Sequence, residues 1–561
     1  MHQNRKTAME IPENIHLHFS NQLLSSLMDE IPHVQTFKGK WSVIRKKLDD
    51  LSTQLKDLSD FPKFSSNPLS LDLIQSISQT LTDSLALSRK CQNPTLSDGK
   101  LRTQSDIDSI TAKLDQHIRD SELLIRSGVL QESAVVASAT TSSKREAVRV
   151  EARNLITRLQ IGNPESKNAA MDSLLGLLQE DDKNVLIAVA QGAVPVLVRL
   201  LDSSYVEIKE KAVSAISRVS VVDSSKHVLV AEGVLLLNHL LRILESGSGF
   251  AKERACIALQ SLSFSKENAR AIGSRGGISS LLEICHAGTP GSQSVSAGVL
   301  KNLAGFPEIR QNLIEENVIP VLIGLLASGT AVAQENAIGC FCNLVSEDES
   351  LKLSVAREGG IESLKNFWDA DPTVGRFEAA VGLLRNLASC RTIAEVLVSN
   401  GFIPRLVGVL SYEASSVRIA AARASYELGF NTKTRKEMGE SGCIPPLVRM
   451  LEAKAVEEKE AAAKALSSLM QYAGNRRIFR KEEKAIPSTV QLLNPSLQIL
   501  DKKYPISILA SIAQSKKCRK QMVGTGAGAY LHKLMDMEID GAKKLLESLG
   551  RGKLWGVFAR T

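Results

Sequence analysis

Aromatic residues make up only 4% of this 561-residue chain, and no apolar run approaches the roughly 20 residues that cross a bilayer as one helix. The shortage of aromatics argues against a β-sandwich or barrel, whose strands draw on aromatic and β-branched side chains. The opening "MHQNRKTAME" lacks the apolar core of a secretory signal, and His2 excludes N-myristoylation. The eight cysteines (91, 256, 285, 340, 342, 390, 443 and 518) form no CxxC pair. Most fall within apolar helical patterns, so reduced core thiols and a location in cytoplasm or nucleus are expected. Both Asn-x-Ser/Thr triplets, at Asn93 and Asn494, are spoiled by a central proline.

Excess charge is missing from most of the chain. Residues 1–130 hold 16 basic and 16 acidic side chains, residues 131–501 hold 41 of each, and residues 502–561 hold 12 and 4, which is the whole net charge of +8. The body of the protein is therefore no phosphate-seeking surface, and nucleic acid is not an expected partner.

What the chain does have is a period. "GAVPVLVRLL" begins at Gly192, "NVIPVLIGLL" at Asn317, "GFIPRLVGVL" at Gly401, "GCIPPLVRML" at Gly442 and "KAIPSTVQLL" at Lys484. Weaker copies start at Gly233, Gly277, Gly360 and Gly526, so nine copies follow one another at spacings of 41, 44, 40, 43, 41, 41, 42 and 42 residues. Glycine at the start suits the left-handed end of a preceding helix. Proline three residues later (Pro195, Pro320, Pro404, Pro445, Pro487) suits the first turn of the next helix, where its missing N–H costs nothing. A short apolar helix, a polar turn such as "ASGTA" (327–331), a longer helix such as "AQENAIGCFCNLVS" (333–346) and a short return helix complete each unit.

Three helices in about 42 residues, with the Gly-x-Ile-Pro phrase, resemble the armadillo-repeat family. The resemblance implies an all-α fold: a right-handed superhelical solenoid in which stacking buries each repeat's apolar face and the long third helices line a concave groove.

In that register Asn302, Asn343 and Asn386 recur near the ends of three successive long helices, each with glycine four residues earlier (Gly298, Gly339, Gly382). In armadillo proteins the equivalent asparagines grip the backbone of an extended partner peptide, since an amide both donates and accepts. Two readings stand: contact with a partner segment, or satisfaction of neighbouring backbone within the solenoid. The glycines likewise fit either close helix packing or a groove floor that admits a partner's bulk. Importin-α-like proteins carry tryptophan where this chain has glycine, and Trp41, Trp368 and Trp555 lie elsewhere. A nuclear-import receptor is therefore not expected. The matching positions in other repeats are Arg218, Ser261, Glu427 and Ser468.

Residues 1–130 read as a helical bundle without the repeat phrase. "WSVIRKKLDDLSTQLKDL" (41–58) places Ile44, Leu48, Leu51, Leu55 and Leu58 on one stripe, and 71–91 and 103–125 are similar. The phrase "LALSRKCQNPTLSDGKLRTQSDIDSITAKLDQHI" resembles the N-terminal helical domain of plant U-box/armadillo ubiquitin ligases. There a U-box precedes the repeats. Here only the Ser/Ala-rich linker 131–146 intervenes, too short for one and without its Cys-Pro-Ile phrase. The expected layout is bundle 1–130, linker 131–146, repeats 147–540 and a basic end 541–561.

No enzyme and no cofactor is expected. "GTGAGA" (524–529) follows no strand, "HLH" (16–18) and the Cys340/Cys342 pair lack further ligands for a metal, and no nucleophile–base set is legible. The basic end interleaves Lys543, Lys544, Arg551, Lys553 and Arg560 with Leu545, Leu546, Leu549, Trp555 and Phe558. It reads either as a capping helix with a basic rim or as a contact for anionic lipid or an acidic partner. The function expected is a protein-interaction scaffold that binds extended segments, with a regulatory adaptor or non-catalytic relative of U-box ligases as the alternative.

Overall fold

The computed structural model describes residues 15–95, 99–131, 141–370, 374–497 and 500–550. Among these, the chain forms 33 α-helices and no strand. It divides into two compact units, residues 1–262 and 263–561.

The first unit begins with four helices: α1 (Ile15–Glu30), α2 (Lys38–Ser59), α3 (Pro68–Lys90) and α4 (Lys100–Ser127). The stripe on α2 is the reason they gather. Ile44, Leu48, Leu51, Leu55 and Leu58 are all buried, with Trp41 beside them. They share one core with Ile74, Ile77 and Leu81 of α3 and Ile107 and Leu114 of α4. Each such side chain contributes roughly 1.5–3 kcal/mol. Asn67 opens α3 by accepting from the Leu69 N–H, with Pro68 in the first turn. Lys40 meets Asp108 at 2.5 Å, and Lys47 meets Asp115 seven residues further along both helices. Such partly exposed pairs add little stability, but they fix how α2 and α4 slide against each other.

The bundle continues into the first repeat. Ile161, at the end of helix Thr141–Ile161, packs against the bundle core. Asp120 of α4 lies within electrostatic reach of Lys167, and burial raises the pKa of the first and lowers that of the second. A solenoid needs its terminal apolar face covered, and here the bundle covers it. Helix Thr141–Ile161 begins inside the expected linker, whose residues 132–140 fall outside the described ones.

Beyond this point helices come in threes, for example Val318–Ser328, Ala331–Leu344 and Glu349–Arg357. The repeat phrase folds as its chemistry dictates. Gly401 (φ 75°) and Asn317 (φ 56°) both take the left-handed turn into the next helix, and asparagine is the residue after glycine that best tolerates it. In two weaker copies that turn falls one residue early, on Gly276 and Gly359, so Gly277 and Gly360 are already helical. The ends of long helices are closed by an arginine six residues on. Arg310 Nε donates to the Ala304 carbonyl (2.9 Å), Arg435 Nε to Gly429 (2.8 Å) and Arg519 Nη1 to Ala513 (2.7 Å). A cation there answers both the orphan carbonyls and the negative end of the helix dipole.

"GTGAGA" is an interhelix turn: one helix ends at Gly524, Gly526 is left-handed, and the next starts at Ala527. The final described helix, Ala542–Gly550, buries Ala542, Leu545 and Leu549 and leaves Lys543 and Lys544 exposed. Arg551, Lys553 and Arg560 fall outside the described residues. No single described helix is long and apolar enough to cross a membrane.

One buried histidine ties the bundle to pH. His117 on α4 bonds Thr80 Oγ1 of α3 through Nε2 (2.9 Å), while its Nδ1 has no partner among the described residues. Burial, aided by nearby Lys113, lowers its pKa from 6.5 to about 4. The imidazole is thus neutral in the fold and titrates near 6.5 when unfolded. Stability it supports above pH 6.5 is lost progressively as pH falls towards 4, up to about 3 kcal/mol. The urea midpoint of the wild type should therefore fall, relative to that of His117→Gln, between pH 7 and pH 5. Parallel midpoints over that range would contradict the assignment.

Candidate partner-binding face

The three asparagines lie on Pro290–Ala304, Ala331–Leu344 and Val374–Ala388, all in the second unit. The first two helices start on side-chain caps, Thr289 accepting from Ser292 N–H and Thr330 from Ala333 N–H. Asn302, Asn343 and Asn386 are all half-buried.

Each amide bonds backwards along the stack. Asn343 Nδ2 donates to the Lys301 carbonyl (2.9 Å) and Asn386 Nδ2 to the Cys342 carbonyl (3.2 Å). Lys301 and Cys342 are the residues just before the previous asparagine. Asn302 Nδ2 donates to Ser263 Oγ (2.9 Å). The same register position does similar work elsewhere: Arg218 Nε donates to the Leu178 carbonyl (2.9 Å) and Ser468 Oγ to Gly429 (3.0 Å). One task of this position is therefore to satisfy a carbonyl at the end of the preceding long helix. Asparagine differs from serine in what it has left over. Among the described residues Asn343 makes one side-chain hydrogen bond, so its Oδ1 and second amide hydrogen remain uncommitted. Asn386 Oδ1 is held by Arg385 Nη2 (2.9 Å).

The glycines differ among themselves. Gly298 is buried, whereas Gly339 and Gly382 are half-buried. A Cβ on Gly339 would meet Lys301 Cδ at 2.7 Å, so the lysine stem lies in the space the glycine leaves. A Cβ on Gly382 would meet only Cys342 Sγ, at 3.9 Å. Both fillers are again the residues preceding the previous asparagine.

Residues that sequence reasoning passed over complete this face. Three positions after each asparagine stand Gly305, Ser346 and Ser389, all exposed. At the same position the flanking repeats carry Phe264, which is 69% exposed, and Phe430. The stretch of three asparagines is thus lined by small residues and flanked in register by aromatics. Lys464 Nζ sits 4.4 Å from the Tyr426 ring in the repeats that follow. Two turns before Asn343 and Asn386, Glu335 and Glu378 belong to no ion pair among the described residues. Counting along the 42-residue register finds every one of these positions.

Among the described residues no group of three His, Cys, Asp or Glu side chains could hold a metal. None of the eight cysteines forms a disulfide, and burial pushes the Cys285 thiol to about 11 and Cys443 to about 12, far from a neutral-pH nucleophile.

Comparison with known proteins agrees with the repeat. The model for the armadillo/beta-catenin-like repeat matches residues 171–221, 306–346 and 431–471. Residues 18–129 match a family described as a domain of unknown function, DUF7032. The chain carries armadillo repeats behind an N-terminal helical domain. Its curated relatives include two Arabidopsis thaliana proteins. U-box domain-containing protein 8 is 27% identical over 252 residues, 44% of this chain and 62% of that protein. U-box domain-containing protein 43 is 27% identical over 255 residues, 44% of this chain and 31% of its own length. U-box domain-containing protein 24 of Oryza sativa subsp. japonica is 24% identical over 215 residues, 38% of this chain and 26% of that protein. The matched stretch thus spans less than two thirds of each relative. A crystal structure of an engineered protein superposes with a TM-score of 0.62 at 24% identity, over 71% of this chain and 99% of the other, a likeness of fold.

Removing the seam bond and filling the glycine should act in opposite directions. Asn343→Ala strands the Lys301 carbonyl and should cost about 1 kcal/mol. Gly339→Ala gains about 0.5–1 kcal/mol of helix preference, and the flexible Lys301 stem can swing aside. Urea denaturation should rank Gly339→Ala at or above wild type and Asn343→Ala below it; the reverse order would contradict this packing.

Proposed function

We propose that the chain is a non-enzymatic scaffold that holds an extended segment of a partner protein against helices Pro290–Ala304, Ala331–Leu344 and Val374–Ala388. The observation that carries this reading is the three-repeat pattern itself: a half-buried asparagine, glycine one turn before it and a small exposed residue one turn after it. Small residues let a backbone approach closely, and an amide can grip a main chain whatever its side chains are. Asn343 has both a donor and an acceptor to offer beyond its seam bond. Glu335 and Glu378, two turns before their asparagines, and Lys301 and Arg385, just before theirs, favour a segment that carries both signs of charge. Cysteines that are mostly buried and form no disulfide fit a reducing compartment, cytoplasm or nucleus.

A second reading rests on the relatives. They are named for a U-box, and the stretch before the repeats here has no room for one. In that reading the chain is a regulatory adaptor of ligases, and its bundle should bind ligase components directly.

The Gly382 position separates binding from stability. A Cβ there meets only Cys342 Sγ, at 3.9 Å, and leucine gains helix preference over glycine, so Gly382→Leu should fold with a melting temperature no lower than wild type while filling the face. Peptides selected from a random library on the wild-type chain should lose at least about tenfold in affinity for Gly382→Leu. Selected peptides that bind the variant equally well would overturn the proposed site.

A further inference from the structure

The second unit contains a cleft that peptide binding leaves unused. Among the described residues near its end, helices Lys503–Ile512 and Ala542–Gly550 border a gap of about 550 Å³. That is large for a single inorganic phosphate and within the usual range of small-molecule sites. Three cations from three helices line it: Lys503, Arg519 of helix Lys516–Gly524, and Lys544. The lining holds one carboxylate, Asp540, and the hydroxyls of Ser507 and Ser548. Ile506 and Leu545 give it an apolar floor.

The cations are not equivalent. Arg519 is fixed, because its Nη1 donates to the carbonyls of Ala513 (2.7 Å) and Gln514 (2.9 Å). Its Nε and Nη2 have no bond among the described residues, so a guanidinium edge is held in place with donors to spare. That is the arrangement a phosphate oxygen pair needs. Lys544 is exposed and forms no ion pair among the described residues. Lys503 pairs with Asp501 (2.6 Å), both largely open to solvent, so the pair gives up little when a stronger anion arrives.

We infer that this cleft binds a multiply phosphorylated small ring, either free or as a lipid headgroup. Three positive charges against one lining carboxylate, with only the solvent-exposed Asp501 paired to Lys503, favour clustered anionic charge. The aliphatic floor suits the C–H face of a sugar or cyclitol ring. No aromatic side chain lines the cleft, which disfavours stacked nucleobases. Of the net charge of +8, the segment that forms this cleft holds +5. Residues 502–550 carry nine basic and four acidic side chains, and Lys516, Lys517, Lys520 and Lys543 are exposed there.

Two double variants of equal charge separate a site from a diffuse basic surface. Lys503→Ser with Lys544→Ser removes two cations from the cleft. Lys516→Ser with Lys517→Ser removes two exposed cations that do not line it. Both keep the Arg519 bonds that close a helix, so both should fold, as circular dichroism will check. The free-ligand probe is inositol hexakisphosphate, titrated by calorimetry into the full chain. The membrane probes are neutral vesicles doped with a bisphosphorylated phosphoinositide or, at matched charge, with phosphatidylserine. The cleft variant should lose about tenfold or more in affinity for whichever polyphosphate binds, and the outer pair no more than about twofold. Binding to the free probe identifies a soluble ligand; preference for phosphoinositide over phosphatidylserine vesicles, without it, identifies a headgroup. Equal losses in both variants, binding that follows vesicle charge alone, or no binding to any probe would overturn the inference. None of these readouts involves the asparagine face, so either conclusion can fail without the other.

Discussion

A three-helix repeat has no inside. Its helices are too few to enclose their own apolar stripes, so every unit depends on the neighbour that covers it. This dependence explains the composition as well as the shape. Long helices that must lie close together favour small residues, and Val456–Leu469 accordingly buries Ala461, Ala462, Ala463 and Ala465. It also explains the two ends of the described chain. The bundle core takes in Ile161 at the start, and helix Ala542–Gly550 turns Leu545 and Leu549 inwards at the finish.

Stacking creates a polar problem along with the apolar solution. Every long helix ends in carbonyls that its own backbone cannot reach. Arginines from the return helices close some of them, and the ladder position closes others from the next repeat. Asparagine is a costly choice inside a helix, because its amide competes for backbone bonds. Serine at 468 shows that one hydroxyl suffices for the seam. The persistence of asparagine in three successive repeats is what asks for a second role. Asn343, its Nδ2 tied and its Oδ1 uncommitted among the described residues, is held in position for whatever arrives.

The repeat architecture was legible because its signals are local: a left-handed residue, a proline three further on, and a period that never drifts by more than a few residues. Where copies were weak the reading slipped by one, as at Gly277 and Gly360, since a Gly-Gly pair does not say which glycine turns. The stripe on α2 was equally plain. The site was only half legible. Spacing alone located Asn302, Asn343 and Asn386, but it could not decide which way each amide points. That depends on the preceding helix, about 42 residues away in sequence. The residues most intimate with the glycines, Lys301 and Cys342, carry no motif and became visible only through packing. The cleft around Arg519 was illegible for the same reason, because its cations come from three separate helices.

The exposed side of three consecutive long helices is where we propose that a partner lies. Amide hydrogen exchange on the full chain, with and without a selected partner peptide, addresses it directly. The account predicts new protection in the last turns of Pro290–Ala304, Ala331–Leu344 and Val374–Ala388, with α1 to α4 unchanged. Protection confined to the bundle, or spread over the repeats on either side with those three helices unaffected, would contradict it.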